Sequence, residues 1–443
     1  MKSIIKITLA IFLLSFACVH MQAQTDNELT ELEQRIEKLE REIDALLTRE
    51  ANGHHDIMTV NSVPLSERDR FRISGHIQTQ YSWGQKDATL GVGAPNENLE
   101  ESFSRFGIRR GRLNFVFQEG FVSSTFQLEL TDKGIGIRSI FFQLNDPIWG
   151  TNSWMRTGIF TLPFGYKVGR SSLVRESPER SAIVLDLFPG ERDLGTMLSL
   201  RAPAHSPLII FRLDAGIVSG NGRNLQIDSR VNFVGRLTTE KTIGRLMLGG
   251  SISYYHGGVF QGTENVYTML GNAFELNSSH RNLGRFAKRE YFGFDAQAVF
   301  PTALGMTRIK TEYIFGQQPG SRTSTRSWNA STRPNHDTFI RPMRGGYLML
   351  VQDLGLNSAF SAVLKYDWYN PNTAVSGNEI GFADTNTGIA DLRRTSYGFG
   401  LLWNASQNIR LTAYYELVRK ETSSNLDFDF KGDLFTVRLQ YRF

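Results

Sequence analysis

Arginine and lysine residues recur on the polar face of short segments in which apolar and polar residues alternate. At the end of the chain, Arg438 and Arg442 share one face of such a segment, and Val437, Leu439 and Tyr441 share the other. Because successive side chains of a β-strand point to opposite faces, each segment separates cationic from apolar side chains. Guanidinium groups stay charged and bind carboxylate or phosphate oxygens through paired hydrogen bonds. The pattern therefore predicts non-covalent binding of anions.

Alternation assigns more cations than acids to the polar faces of these segments. In addition to Arg72 and Arg442, the cations predicted to line a pore and bind anions are Arg110, Arg112, Arg212, Arg236, Arg308, Lys310, Lys365, Arg410 and Arg438. The acids on the same faces are Glu129, Asp214, Asp295, Glu312, Asp367 and Glu416. Rings of arginine or lysine favour anions in a pore. The alternative is that the cations form ion pairs that brace the wall, for which Lys310 with Glu312 and Lys365 with Asp367 are candidates.

The elements that position these side chains are sixteen predicted strands within residues 71–443. Their predicted bounds are 71–83, 105–117, 121–130, 137–144, 153–160, 195–201, 208–217, 228–238, 245–256, 289–300, 306–315, 344–354, 358–369, 395–404, 408–419 and 432–443. Long and short connections alternate between them. Outer-membrane barrels have an even number of strands, short periplasmic turns and longer external loops. The predicted fold class is all-β, a 16-stranded antiparallel transmembrane β-barrel with a short N-terminal α-helical coiled coil.

The residues before the barrel divide into three predicted segments. Residues 1–23 have a basic start, an apolar run and a small-residue cleavage site, which is typical of a signal peptide. Residues 24–50 repeat apolar positions with the spacing of a coiled-coil seam, and residues 51–70 form a linker. A lipid anchor at Cys18 is an alternative for the first segment, and a helix packed on its own barrel is an alternative for the second.

Charge and cysteine content narrow the possible functions. The formal charge is +5, of which residues 24–50 contribute −5 and residues 1–23 contribute +2, so that residues 51–443 carry +8. These basic residues follow the strand period and do not cluster in one patch, which argues against nucleic-acid binding. Cys18 is the only cysteine, so a mature chain has no disulfide. The linker sequence His54-His55-Asp56 is a weak metal candidate, and we expect neither a metal nor a cofactor.

Several motifs resemble the phosphate-selective porin O and P family over most of residues 71–443. They are Phe106–Leu113, Arg156–Gly165, Glu179-Arg180, Arg192–Gly195, Val234–Leu237, Lys365–Asn372 and Val437–Phe443. Gly111 departs from the small residue, such as alanine, that the family pattern favours. The resemblance implies a sixteen-stranded, trimeric outer-membrane porin whose third external loop narrows the pore. It also implies that the barrel-assembly machinery reads Phe443.

The third external loop, at residues 161–194, is the predicted constriction element. Pro163-Phe164-Gly165 would turn the chain inward, and the positive and negative charges of the loop are equal in number. The balance argues against a strongly phosphate-selective throat and favours a mild anion preference. The predicted constriction residues are Pro163, Phe164, Gly165, Lys167, Arg170, Arg180 and Arg192.

The sequence thus predicts an outer-membrane porin that gives passive diffusion to small hydrophilic, anionic (phosphate-like) solutes through an Arg/Lys-lined pore. Its predicted partners are outer-membrane lipid, small anionic solutes, two further copies in a homotrimer, and the barrel-assembly machinery through Phe443. The coiled coil and the C-terminus would be periplasmic. An enzyme is not expected, because the histidines are scattered and accompany no nucleophile motif. The alternative is a structural or adhesive barrel whose coiled coil engages periplasmic partners.

Overall fold

The computed structural model describes residues 70–148, 151–355 and 359–443. The predicted signal peptide, coiled coil and nearly all of the linker lie outside the described residues. In the described part of the chain, no helix is both long enough and apolar enough to cross a membrane.

Sixteen antiparallel strands form one closed sheet. The barrel strands are β1 (Phe71–Gly84), β2 (Phe103–Glu119), β3 (Val122–Thr131), β4 (Gly134–Asn145), β5 (Trp154–Thr161), β6 (Arg192–Arg201), β7 (Phe211–Val218), β8 (Asn232–Ile243), β9 (Leu246–Phe260), β12 (Phe286–Thr302), β13 (Gly305–Gly320), β14 (Thr338–Asp353), β15 (Phe360–Asn370), β16 (Arg394–Asn404), β17 (Ile409–Lys420) and β18 (Leu434–Arg442). Each barrel strand pairs with its neighbours in chain order, and β18 pairs with β1 to close the wall. The predicted sixteen-stranded antiparallel barrel is therefore confirmed.

A short hairpin extends from the barrel at residues 257–288, where the predicted strands leave a single long loop. Its strands are β10 (Asn265–Leu270) and β11 (Ala273–Ser278). Six residues each give too short a run of alternation to stand out beside the longer barrel strands. The hairpin is anchored because β10 adds in parallel to the start of β14 and because the ring of Tyr267 stacks on that of Phe339, 4.3 Å away.

The barrel also contains short helical elements between its strands. Two α-helices, α1 (Gly165–Gly169) and α2 (Ala182–Leu187), lie in the loop between β5 and β6, residues 162–191, which the sequence predicts to be the third external loop and which we call L3. The 3₁₀ turns are Pro207–Ile210, His280–Asn282, Gly377–Glu379 and Ile389–Asp391. We number the other loops at the same end of the barrel in the same order, so that L4 covers residues 219–231, L6 covers 321–337 and L7 covers 371–393.

The distribution of polar and apolar side chains is the inverse of that in a soluble protein. On β18, Arg438 and Gln440 are 4% and 5% exposed, whereas Leu439 and Tyr441 are 49% and 48% exposed. Large apolar residues are exposed in the same way on strands all around the barrel. Soluble monomers rarely expose contiguous apolar surface of this extent. The outer face therefore suits a lipid environment, and the polar faces point into the lumen.

One buried ion pair fastens loop L7 to the mouth of the barrel. Arg341, near the start of β14, donates from Nε to Asp391 Oδ1 at 2.8 Å, and both side chains are 0% exposed. Asn372 donates to the same oxygen at 2.9 Å, and the backbone N–H of Gly388 donates to the other oxygen at 2.9 Å. The carboxylate of Asp391 therefore joins the wall to two points of L7.

Replacement of Asp391 by alanine is expected to lower the free energy of unfolding by about 3–5 kcal/mol, because it leaves the Arg341 guanidinium buried without its partner. Urea unfolding of the barrel in lipid vesicles, followed by tryptophan fluorescence, measures this loss. The matched control is Asp429→Ala, which breaks an ion pair with Lys431 whose side chains are 70% and 58% exposed. The control should not change stability measurably; equal losses in the two variants would contradict the assignment.

Candidate functional site

Loop L3 leaves β5 through Pro163, Phe164 and Gly165, and all three residues are buried inside the barrel. The ring of Phe164 lies 4.9 Å from that of Phe188 and 6.4 Å from that of Tyr291 on β12. Gly165 has a φ of +56°, and any side chain there would collide with the carboxylate of Glu312. Only glycine combines this left-handed conformation with so close an approach. The predicted turn at this motif thus directs the chain onto the inner wall.

The middle of L3 contacts the opposite side of the barrel. Near its start, the backbone N–H of Gly165 donates to Ser253 Oγ on β9 at 2.9 Å. Seven residues later, the carbonyl of Ser172 accepts from Gln78 Nε2 on β1 at 3.2 Å, and that of Leu173 accepts from Gln440 Nε2 on β18 at 3.2 Å. β1 and β9 are eight strands apart in the ring of sixteen. L3 therefore crosses the lumen.

Arg180 holds the two halves of L3 together. Its Nε donates to the carbonyl of Lys167 at 2.7 Å, and its Nη2 donates to the carbonyls of Val168 and Arg170 at 3.3 and 3.0 Å. These carbonyls end helix α1, where a cation satisfies otherwise unpaired acceptors. Its Nη1 donates to Glu191 at the end of the loop. One side chain thus fixes the fold of the loop.

Ion pairs join L3 to the wall formed by β1 to β6 and β18. Arg109 donates two hydrogen bonds to Glu179, at 2.7 and 2.9 Å, and Arg438 donates to the same carboxylate at 3.0 Å. Arg138 donates to Glu191 at 2.5 Å. We call the connected set the arginine network, and its members are Arg109, Arg110, Arg112, Arg138, Arg180, Arg192, Arg438, Glu129, Glu179 and Glu191.

Two β-bulges add arginines to this network that alternation did not predict. Between β1 and β2, Gln78 pairs with Arg110 and the next residue, Thr79, pairs with Ile108, so Arg109 is the extra residue. Between β3 and β4, a register shift leaves Arg138 as the extra residue in the same way. A bulge re-aims a side chain, and here both arginines turn inward. The sequence contains no alternation signal for either, because the bulges interrupt it.

The acids of L3 stay ionised because cations surround them. Burial opposes ionisation of Glu179, but Arg109, Arg110 and Arg438 outweigh burial and hold the pKa of Glu179 well below its usual range. Burial likewise opposes ionisation of Glu191, and Arg180, Arg138 and Arg192 hold its pKa well below the usual range. Both carboxylates therefore carry full negative charge at neutral pH and attract the wall.

On the far wall, the predicted lysines contact acids. Lys310 donates to Glu176 of L3 at 2.5 Å rather than forming the predicted pair with Glu312. Glu312 instead accepts from the backbone N–H of Lys167 at 3.1 Å. Lys365 pairs with Asp367 at 2.7 Å, as the wall-bracing interpretation predicted. The contacts of Lys310 and Glu312 attach the first half of L3 to β13.

The other predicted pore cations are inward-facing and mostly paired along the wall. Arg212 lies 3.0 Å from Asp214, Arg236 lies 3.4 Å from Asp295, and Arg308 lies 2.7 Å from Asp353. Arg410 donates to Gln440 at 3.3 Å, and within L3 Arg170 lies 3.9 Å from Glu176. The buried side chain of Lys167 lies over the ring of Tyr347 at 5.0 Å. Anion binding by the individual cations stays a prediction.

A cavity of about 940 Å³ opens above the end of L3. Loops L4 and L6 form most of it, with Pro189 and Gly190 of L3 at its floor. The charged residues among its described lining are Arg223 and Arg326, and none of the described lining residues is acidic. Arg223 donates to the carbonyl of Ile137 at 2.8 Å. We call this cavity the vestibule. Its described lining carries two positive charges, and Gly190 at its floor directly precedes Glu191 of the arginine network.

Solved structures share this architecture. OprB of Pseudomonas putida aligns with a TM-score of 0.52 at 8% identity, covering 84% of this chain and 94% of its own. The outer-membrane channel DcaP of Acinetobacter baumannii gives 0.51 at 12% identity, and OmpF of Salmonella typhi gives 0.51 at 13%; each alignment covers 84% of this chain and 97% of the other. The fold is that of a bacterial porin. The sequence matches no protein-family model and no curated protein, so the likeness is one of fold alone.

Proposed function

We propose that this chain is an outer-membrane porin that lets small hydrophilic solutes diffuse passively, with a preference for anions of the phosphate type. The observation that carries the proposal is L3, which crosses the lumen of a closed barrel and is held there by ion pairs with the wall. A porin performs no bond chemistry. Its function depends on the width of the passage and on the electric field within it.

The excess of arginine supports the anion preference. The arginine network contains seven arginines and three glutamates, and the vestibule adds Arg223 and Arg326. A lumen with one sign of charge and low-dielectric walls concentrates ions of the opposite sign. Phosphate and carboxylate groups suit guanidinium donors in particular, because two parallel hydrogen bonds can form. Anionic solutes should therefore pass more readily than cations of similar size.

The membrane assignment follows from the outer surface and from the chain end. Phe443 is 53% exposed, and its backbone exchanges two hydrogen bonds with that of Gly75, at 2.9 and 3.0 Å. An outward aromatic at the barrel rim is available to the barrel-assembly machinery and fits the aromatic girdle of outer-membrane barrels. In the orientation that we propose, the C-terminus faces the periplasm, and L3 and the vestibule face the outside. We also propose that three copies assemble as a trimer.

A structural or adhesive barrel is the second candidate, because L3 bonds to opposite walls and occupies part of the lumen. Single-channel recording in planar bilayers at about 1 M KCl separates the two functions. A porin gives discrete, long-lived open steps after insertion of the purified protein. An electrically silent barrel, inserted and folded, would contradict the porin and support the scaffold.

A further inference from the structure

Arg175 of L3 is a buried cation with no hydrogen-bond partner. Its side chain is 3% exposed, and Nε, Nη1 and Nη2 all lack an acceptor. The charged groups that act on it most strongly are Arg180, Arg110, Glu179 and Glu191. A guanidinium does not give up its proton in a protein. A buried, unpaired charge of this kind is strongly unfavourable unless something compensates it.

The loop holds Arg175 in place on both sides. Two residues earlier, the carbonyl of Leu173 accepts from Gln440 at 3.2 Å, and directly after it Glu176 accepts from Lys310 at 2.5 Å. The hydrogen bonds of Leu173 and Glu176 therefore fix the segment that carries Arg175. Because this segment is bonded to both β18 and β13, the unpaired donors of Arg175 are held in one place.

The cations around Arg175 also have too few acids to balance their charge. Among its described members, the arginine network together with Arg175 contains eight arginines and three glutamates, an excess of five positive charges. Arg112 lacks acceptors at Nε and Nη2, and Arg110 lacks one at Nε. Their distances to Glu129 are 3.7 Å, longer than the 2.7–2.9 Å of a charge-assisted hydrogen bond. Acceptors are thus missing on Arg110 and Arg112 as well as on Arg175.

We propose that a small oxyanion, such as inorganic phosphate or sulfate, binds among Arg175, Arg110 and Arg112 as a resident structural anion that locks L3 to the wall. Its oxygens accept from the unpaired guanidinium donors, and its charge offsets the excess of the network. This anion stays in the protein rather than passing through it. The site is independent of permeation, since it fixes the loop whether or not the channel conducts.

Equilibrium binding of radiolabelled inorganic phosphate or sulfate to the purified full-length protein in non-ionic detergent tests the site. The wild type should bind about one anion per chain in a saturable manner. Arg175→Gln should weaken the affinity at least about tenfold, because hydrogen bonds to a charged group are lost. Arg175→Lys, which keeps the charge but not the planar donor fork, should give an intermediate affinity. The control is Arg281→Gln at an exposed residue outside the barrel, which should bind as the wild type does.

A second readout follows L3 itself. Phosphate should slow proteolysis of L3 in the wild type and not in Arg175→Gln, and heat-modifiable migration on gels checks that each variant is folded. Absence of saturable binding to the wild type would overturn the proposal, and so would equal affinity in wild type and Arg175→Gln. The binding assay requires no conduction, so the two proposals can fail separately. A silent barrel that binds the anion would support the anion site and contradict the porin. A conducting barrel that binds no anion would support the porin and contradict the anion site.

Discussion

Replacement of Glu191 by glutamine is expected to release the end of L3 and to lower the free energy of unfolding by about 3–5 kcal/mol. Glu191 accepts from Arg138, Arg180 and Arg192, so the neutral side chain leaves three guanidinium groups facing one another inside the barrel. It also has a φ of +60°, a conformation that few non-glycine residues adopt. This strained backbone conformation occurs where L3 joins β6, and the ion pairs of Glu191 must maintain it.

Two measurements follow this substitution. Urea unfolding in vesicles reports the lost stability, and single-channel recording should show a noisier open state, because L3 then moves within the lumen. The matched control is Glu100→Gln, which removes a carboxylate that is 80% exposed and lies 3.3 Å from Lys86. If Glu191→Gln kept the wild-type stability and a quiet open state, the arginine network would not be what holds L3 in the lumen.

Replacement of both Arg223 and Arg326 by glutamate is expected to lower the chloride-to-potassium permeability ratio by about tenfold. Each unit charge contributes about 0.5 kcal/mol at about 8 Å in water, and the double variant changes four units of charge, although salt screens part of the effect. The variant reverses the sign of the two charges that line the vestibule and changes no residue of L3. Its stability should stay close to that of the wild type, because both arginines are exposed and a surface hydrogen bond such as that of Arg223 to the Ile137 carbonyl contributes little.

The measurement is the reversal potential of the double variant in a KCl gradient. The control changes the same number of charges at two exposed arginines outside the vestibule, Arg245 and Arg281. This control should keep the wild-type permeability ratio. An equal shift in control and variant would mean that the net charge of the protein, and not the vestibule, sets the selectivity.

The sequence was sufficient to predict the barrel because each strand depends on a local feature, a short segment in which apolar and polar residues alternate. The alternation of long and short connections then indicates an antiparallel barrel with an even number of strands. In the structure the last strand pairs with the first, as a closed ring requires, and Tyr441 lies opposite Ile77. The β10–β11 hairpin was missed because its strands are short and its anchor is a tertiary stack of Tyr267 on Phe339.

The site was less predictable because it depends on contacts that are distant in sequence and on broken alternation. Arg109 and Arg138 turn inward only because β-bulges shift the register. Glu312, on the same strand, was a candidate partner for Lys310, yet Lys310 pairs with Glu176, which L3 brings into the lumen. The sequence motif identified the loop, and alternation identified most of the inward-facing cations. Neither shows that L3 crosses the lumen or which wall residues it contacts.

The most direct test of the account is the reversal potential of the wild-type protein in a planar bilayer that separates dilute from concentrated KCl. A lumen dominated by arginine predicts that chloride passes more easily than potassium, so the potential should have the sign of an anion-preferring channel. Added phosphate should reduce the chloride current, because it competes with chloride for the guanidinium groups that line the passage, apart from the resident anion site. A potential with the sign of potassium selectivity would contradict the account.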